Sequence, residues 1–424
     1  MLALTPLIFF IIVYLVASIV AGDFYKVPIT AAFMLTAIVS IIVSKGKMKE
    51  RIETFSHGAG QKNMMLMIWI FILAGAFASS AKQMGSINDV VNLTLSLMPS
   101  WALLSGLFVA AAFISLSIGT SVGTSVALTP IAAGVAQTCD ASVPLMVAIV
   151  VGGAFFGDNL SFISDTTVVA TQSQGCRMSD KFRTNIRIAL PAAIVMLIVY
   201  GVMGVNFNVP GSIPTVNYIN VIPYLAVLIL AVLGINVLVV LTIGCLLTGI
   251  IGYIIPSLTT GAYDSFGLYA WLGSMGEGIL GMGELIIITM LAGGVLEMIR
   301  TNGGIQFIMD HILRHVHSQR TAELSIAALV ASVDVCTANN TVAIITVSGI
   351  ARDISKKYGL DPRRVASILD TFSCIMQGLI PYGAQLLMAS ALAAIAPVDI
   401  IPYLFYPYAL AVCALAAILF HKQK

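Results

Sequence analysis

Charge is scarce in this sequence. Only 9% of the 424 residues are Asp, Glu, Lys or Arg, while 59% are hydrophobic and the mean hydropathy is +1.00. Ordinary soluble domains carry roughly 25% charged residues, so lipid is the solvent this composition fits. Long polar intervals are missing too. Apolar stretches of the roughly 20 residues that a bilayer crossing needs recur from Leu2 to Phe420, which leaves no room for a soluble domain. Cysteine pairing is absent as a pattern: Cys139, Cys176, Cys245, Cys336, Cys374 and Cys413 stand singly, with no CxxC, and read as small buried hydrophobes. No HExxH marks an intramembrane enzyme. Gly303-Gly304 lacks the Lys-Ser/Thr and the preceding strand of a phosphate loop. His311, His315 and His317 have i, i+4 spacing, but they sit beside Arg314 with no carboxylate or Cys at ligand distance, and read as a solvated loop face. No cofactor and no nucleic-acid partner is expected. Met1 to Ala21 has no basic leader and reads as a retained helix.

What is present is a series of spans: 3 to 22, 28 to 44, 64 to 81, 143 to 175, 188 to 205, 219 to 234, 236 to 255, 283 to 299, 365 to 397 and 402 to 420. Two further apolar stretches, 101 to 136 and 321 to 351, are too long for one helix across a core of about 30 Å and too short for two. Both read as re-entrant hairpins. With the N-terminus inside, the segments 45 to 62, 177 to 187, 300 to 320, 352 to 364 and the C-terminus are cytoplasmic. They hold 19 of the 21 Lys and Arg, all but Lys26 and Lys82, as the positive-inside rule asks. Basic loops flank the second hairpin on both sides and Lys82 alone flanks the first, so the two enter from opposite faces.

The chain also repeats itself. Ala74-Gly75 falls on Ala292-Gly293, Lys82 on Arg300 and Gly85 on Gly303; after one slip, Ser115 falls on Ser332, Thr120 on Thr337, Thr124 on Thr341 and Phe155 on Phe372. This divides the chain into an N-terminal two-helix segment (1–63), a first copy (64–206), connecting helices (207–282) and a second, inverted copy (283–424). The expected fold is all-α and polytopic, with about ten transmembrane helices plus two hairpins. Inverted repeats with interrupted helices are the architecture of secondary transporters. A channel would need a continuous polar pore, whereas these spans show only local breaks.

Each copy places a polar hairpin tip before a polar break. In the first, the tip holds Thr120, Ser121 and Thr124, and the break holds Asp158, Asn159, Ser161, Ser164, Asp165 and Thr166. In the second, the tip holds Asp334, Thr337, Asn339, Asn340 and Thr341, and the break holds Gln377, Tyr382 and Gln385. Irregular backbone at membrane depth is tolerated only where it lines a cavity or is buried in protein. Carbonyls, hydroxyls, amides and a carboxylate make an all-oxygen site suited to Na⁺. An Asp in a helix centre costs about 2.5 to 3.5 kcal/mol, so Asp158 and Asp165, seven residues apart around one break, are expected to face one cavity and bind a cation or proton. Asp334 stands where the first copy has Ser117. Asp370, a turn or two inside its span, can instead snorkel to the interface, and Glu277, Glu284 and Glu297 suit interfacial solvation.

The run Gly157-Asp158-Asn159-Leu160-Ser161-Phe162, continuing through Ser164-Asp165-Thr166-Thr167, resembles the NhaC family of Na⁺/H⁺ antiporters in the ion transporter superfamily. The family pattern is close to GDxxSPxSDTT, kept here except that Phe162 replaces the usual Pro. The resemblance runs through the membrane domain. It implies ion binding at Asp158, Ser161, Ser164, Asp165 and Thr166, an elevator-like movement, Na⁺ or H⁺ as coupling ions, an inner-membrane location and a homodimer. Similar proteins move organic acids or amino acids, so coupled transport of a small organic solute is the alternative expectation.

Overall fold

The computed structural model describes residues 2–21, 28–162, 164–205, 207–211, 213–254, 267–314 and 316–420. Lys26, His315 and the far ends of the first and seventh predicted spans lie outside the described residues. All regular structure among the described residues is helical, as a backbone in lipid requires, since helices satisfy their own N–H and C=O groups. The chain opens with α1 (Thr5–Ala21), α2 (Ile29–Val43), α3 (Met48–Ala59), α4 (Lys62–Gln83) and α5 (Ser86–Leu97). Next come the hairpin α6 (Ser100–Ile118) and α7 (Ser121–Thr138), the broken span α8 (Val143–Leu160) and α9 (Asp165–Gln174), and α10 (Met178–Val205). Helices α11 (Tyr218–Val232), α12 (Val237–Gly249) and α13 (Leu268–Gly281) connect to α14 (Gly283–Thr301) and α15 (Gly304–Leu313). The second hairpin is α16 (Gln319–Thr337) and α17 (Asn340–Tyr358), the second broken span α18 (Pro362–Leu379) and α19 (Ala384–Ala393), and α20 (Phe405–Leu419) closes the fold.

Among the described residues, six helices or joined helices are long and apolar enough to cross a bilayer, seven with the bent pair ending in α20, and four shorter apolar helices stand where the other predicted spans were placed. The protein is a multi-pass membrane protein. Its outward faces are apolar: along α10, Ile198, Val202 and Val205 are 61%, 66% and 69% exposed. The centre is α8, where Met146 to Val151 are fully buried against α6, α7, α10 and α20.

Some expected loops are helices. Segment 45 to 62 contains α3, which lies so close on α14 that a Cβ on Gly58 would sit 2.5 Å from the Gly293 carbonyl oxygen. Segment 300 to 320 contains α15, and α13 occupies sequence read only as a connection. Glu297 is not solvated: it is buried where α14 packs on α3, accepting a hydrogen bond from Gln61 Nε2 at 2.8 Å. The hairpin arms are also longer than the sequence suggested. At 18 or 19 residues each they measure about 28 Å at 1.5 Å per residue. The last arm runs to Tyr358, with Lys356 and Lys357 in its final turn, where cations complement the helix dipole.

The repeat is written in the backbone in a different register from the one the residue matches gave. Helix α16 begins 219 residues after α6, and the same interval separates the starts of α17 from α7, α18 from α8, and α19 from α9. Left-handed residues pair at that interval: Gly119 (φ 73°) with Ala338 (φ 49°), Asp140 (φ 51°) with Gly359 (φ 66°), Gly175 (φ 70°) with Ala394 (φ 54°). Earlier, Gly85 (φ 84°) pairs with Gly303 (φ 80°) at 218, as the sequence indicated. So Thr120 corresponds to Asn339, not Thr337, and Asp334 to Ser115, not Ser117. Identity matches among small residues were too cheap to fix the register after the slip. The copies embrace one another: α7 of the first packs on α19 of the second, and α17 of the second packs on α9 of the first.

Candidate functional site

The break between α8 and α9 forms where the helix meets a hairpin tip. Gly157 is required by that contact, because a Cβ there would lie 2.2 Å from the Ala112 carbonyl oxygen and 2.6 Å from the Leu116 nitrogen of α6. The close approach brings the next residue, Asp158, against the start of α7. Asp158 Oδ2 accepts from Ser121 Oγ at 2.6 Å and from the Ser121 backbone N–H at 3.3 Å, while Oδ1 accepts from Ser164 Oγ at 2.5 Å. Ser164 Oγ and Thr166 Oγ1 are 2.8 Å apart. The carboxylate is 6% exposed. From the second copy, Gln385 Nε2 donates to Ser121 Oγ at 2.9 Å, and Gln377 Nε2 donates to Gln385 Oε1 and to the Ala338 carbonyl at the other hairpin tip, both at 3.1 Å. Both tips and both breaks thus join one hydrogen-bonded chain.

Gly119 to Gly123 spells the letters GxSxG, yet here the turn joins two helices where a nucleophile elbow needs a strand. The Ser121 hydroxyl donates to a carboxylate, with no His base beside it in the hydrogen-bond chain.

The other expected site residues lie outside this chain of bonds. Asp165 does not share the interior with Asp158: it is exposed, and its Oδ2 accepts from Thr341 Oγ1 of α17 at 2.8 Å. Ser161 Oγ donates to the Leu116 carbonyl at 2.9 Å, holding the break to the first hairpin. Thr120 and Asn339 act as matching N-caps of α7 and α17, accepting from Gly123 and Val342 N–H, as short polar side chains do at helix starts. Thr124 bonds back to the Thr120 carbonyl, Thr337 to the Asn339 carbonyl, and Asn340 Oδ1 accepts from the Thr341 N–H. Tyr382 donates to the Val335 carbonyl at 2.7 Å and meets the rings of Phe10 and Phe33 edge-on. Phe162 is 45% exposed and stacks on Phe182 with centroids 4.7 Å apart, so the ring occupies the outside of the break.

Asp334 is fully buried, and among the described residues no side chain hydrogen-bonds its carboxylate. Beside its turn of α16 lies a cavity of about 30 Å³, lined by Val335, Cys336, Thr337, Ala338, Thr36 and Tyr382 among others. That is room for a water or a bare ion.

A second polar cluster went unread in the sequence. Lys181, expected in a cytoplasmic loop, is 1% exposed, and Asp370, for which the sequence leaves a functional and a snorkelled role equally open, is also 1% exposed. Lys181 Nζ lies 2.6 Å from Asp370 Oδ2 and donates to the Asn159 carbonyl at 2.6 Å and to Thr167 Oγ1 at 2.7 Å. Asn159 Nδ2 and Asn185 Nδ2 donate to the same Asp370 oxygen at 3.0 and 3.2 Å. Asp370 stays inside because a buried charge is tolerated when paired and hydrogen-bonded. The missed signal is the i, i+4 stripe of α10: its buried residues Asn185, Ala189, Ala193, Met196 and Tyr200 extend back one turn to Lys181.

Among characterised proteins, the chain is similar to the Na⁺/H⁺ antiporter NhaC of Bacillus subtilis, at 24% identity over 379 residues that cover 82% of this chain and 83% of that one. It is similar at 21% identity to the malate-2H⁺/Na⁺-lactate antiporter of the same organism, covering 91% and 88%. Among solved structures, the YdaH transporter of Alcanivorax borkumensis aligns at 13% identity and a TM-score of 0.43, over 87% of this chain and 86% of that one. With residues 1–205 and 208–421 both matching its pattern, the chain belongs to the Na⁺/H⁺ antiporter family.

Proposed function

We propose that the protein exchanges Na⁺ for H⁺, with Asp158 taking one ion and then the other. The observation that carries this reading is a buried carboxylate whose hydrogen-bond donors are Ser121 and Ser164, while the buried ammonium of Lys181 is paired with Asp370 instead. Hydroxyls can turn from donating to a carboxylate to offering lone pairs to a cation. Ser121, Ser164 and Thr166 would therefore complete the coordination of Na⁺ at Asp158. Competition of Na⁺ and H⁺ at one carboxylate accounts for exchange without a second pathway. Asp165 would act at the edge of the site, through Thr341.

The same proposal extends to topology and movement. The positive-inside pattern supports both termini on the cytoplasmic side of a bacterial-type inner membrane, with the copies inverted. Lys181 drops out of that count, and the remaining basic residues keep the bias. The reciprocal packing of α7 on α19 and α17 on α9 supports an elevator-like step in which hairpins and broken helices move as one body. A homodimer would give that body a fixed partner scaffold. Cotransport of a small organic acid is the second reading, favoured by the likeness to a malate/lactate antiporter. The cavity beside the second tip, about 30 Å³, is too small for such a solute, whereas one of about 430 Å³, lined by Glu284 of α14 and Ser390 of α19, falls in the range of ordinary small-molecule sites, roughly 300 Å³ or more.

The test is reconstitution into liposomes with a trapped pH dye and pulses of Na⁺, Li⁺ and K⁺ without organic solute. A Na⁺-dependent pH change is expected. A silent dye, together with Na⁺-driven uptake of labelled malate or lactate, would replace the first reading by the second.

A further inference from the structure

The surroundings of Lys181 are those of a cation site. Three oxygens of different kinds, a carbonyl, a hydroxyl and a carboxylate, converge on the ammonium at 2.6, 2.7 and 2.6 Å, matching its three N–H donors one for one. The carbonyl is that of Asn159 in the last turn of α8, beside the break, and the hydroxyl is Thr167 in the first turn of α9. One ligand group therefore stands on each side of the break. Asp370 comes from α18 of the other copy, so the cluster also ties the two repeats together. The stem of Lys181 enters from α10 and leaves the ammonium 1% exposed.

We propose that Lys181 is a tethered cation filling a second monovalent-cation site, built from the Asn159 carbonyl, Thr167 Oγ1 and the Asp370 carboxylate. A free ion there would have to leave and return on every cycle; a covalently attached one cannot. Paired with Lys181, Asp370 needs no free counter-ion. The inference rests on the Lys181 cluster and stands whether or not Asp158 is the exchanging group.

The prediction is that removing the ammonium opens the site to a free ion. Purified Lys181→Ala protein is melted in choline chloride, KCl and NaCl at equal ionic strength, and bound ²²Na⁺ is counted. The variant should be unstable in choline and recover in a saturable manner in Na⁺. At a concentration 100 times the dissociation constant its folded-to-unfolded ratio should rise roughly 100-fold, with one additional Na⁺ held per chain relative to the parent. The recovery should persist in an Asp158→Asn background, which separates this site from the proposed exchange site. It should vanish in Lys181→Ala/Asp370→Asn, where the attracting charge is gone, and should be absent in Lys181→Arg, which keeps the tethered cation. Equal melting in choline and Na⁺ would overturn the proposal. So would a Lys181→Ala chain that folds at no salt while the double variant folds normally, since the loss would then be of a structural pair that no ion can replace.

Discussion

Substituting Asp158 by Asn separates the charge of the site from its shape. The side chain is isosteric, and its neighbours can keep their hydrogen bonds: the amide oxygen can accept from Ser121 Oγ and N–H as Oδ2 does now. The amide nitrogen can then donate to Ser164 Oγ, with that hydroxyl turned toward Thr166 Oγ1 at 2.8 Å. Three hydrogen bonds to a charged group, at about 1.5–3 kcal/mol each, become neutral ones at about 0.5–1.5, but the burial cost of the charge also disappears. The two effects oppose one another, so the protein should still fold. Ion binding should change far more. A unit charge about 4 Å from a cation contributes about 4 kcal/mol at an effective dielectric of 20, so Na⁺ affinity should fall about 10³-fold. The assay is the Na⁺-dependent pH change in liposomes alongside melting of the same preparation. A folded Asp158→Asn protein with an unchanged Na⁺ half-saturation would refute the reasoning.

Asp165→Asn should keep most activity, with a few-fold change in half-saturation measured in the same assay, because an amide oxygen can still accept from Thr341. Complete loss there with exchange intact in Asp158→Asn would reverse the two roles. Gly157→Ala should destabilise the protein by at least about 1–3 kcal/mol, since the new Cβ would press on the α6 backbone; melting and membrane yield report it. Arg364→Met should cost about 3–5 kcal/mol by stranding Glu323, which it holds bidentately at 2.7 and 2.8 Å between α18 and α16. The double variant with Glu323→Leu should recover most of that loss in the same melts.

The apolar spans were legible because their signals are lengths and compositions, which lipid enforces over roughly 20 residues at a time. The break at Asp158 was legible because a carboxylate, an amide and hydroxyls interrupt an apolar run. Lys181 and Asp370 were not, because each lies near a predicted cytoplasmic end, where solvation is the ordinary fate of a charge. Burial there depends on a partner from the other repeat, 189 residues away, which no local pattern contains. The repeat register failed for a related reason. Gly119 and Ala338 share a left-handed turn but not a side chain, so the shared feature is conformational and the shared letters nearby are accidental. For an alanine that conformation costs roughly 1–2 kcal/mol, and in Ala338 the surrounding hairpin holds it.

At the structural interval of 219, the copies agree in backbone and differ in charge. Asp158 corresponds to Gln377, Ser164 to Gly383 and Lys181 to Ile400, while the carboxylate of Asp334 corresponds to the hydroxyl of Ser115. Alternating access asks only for matched geometry, two hairpins and two breaks that can exchange conformations. Coupled exchange asks for the opposite, a single place where charge is unbalanced. Gln377 meets both demands: it keeps the polar contact at the second break, through Ala338 and Gln385, and adds no second charge beside Asp158. A carboxylate there would face the Ala338 carbonyl with no proton to donate and would bring two like charges into one hydrogen-bonded chain. In the proposed mechanism the second break thus adds no carboxylate beside Asp158, and the second copy carries its own buried carboxylate, Asp334, in the hairpin arm instead.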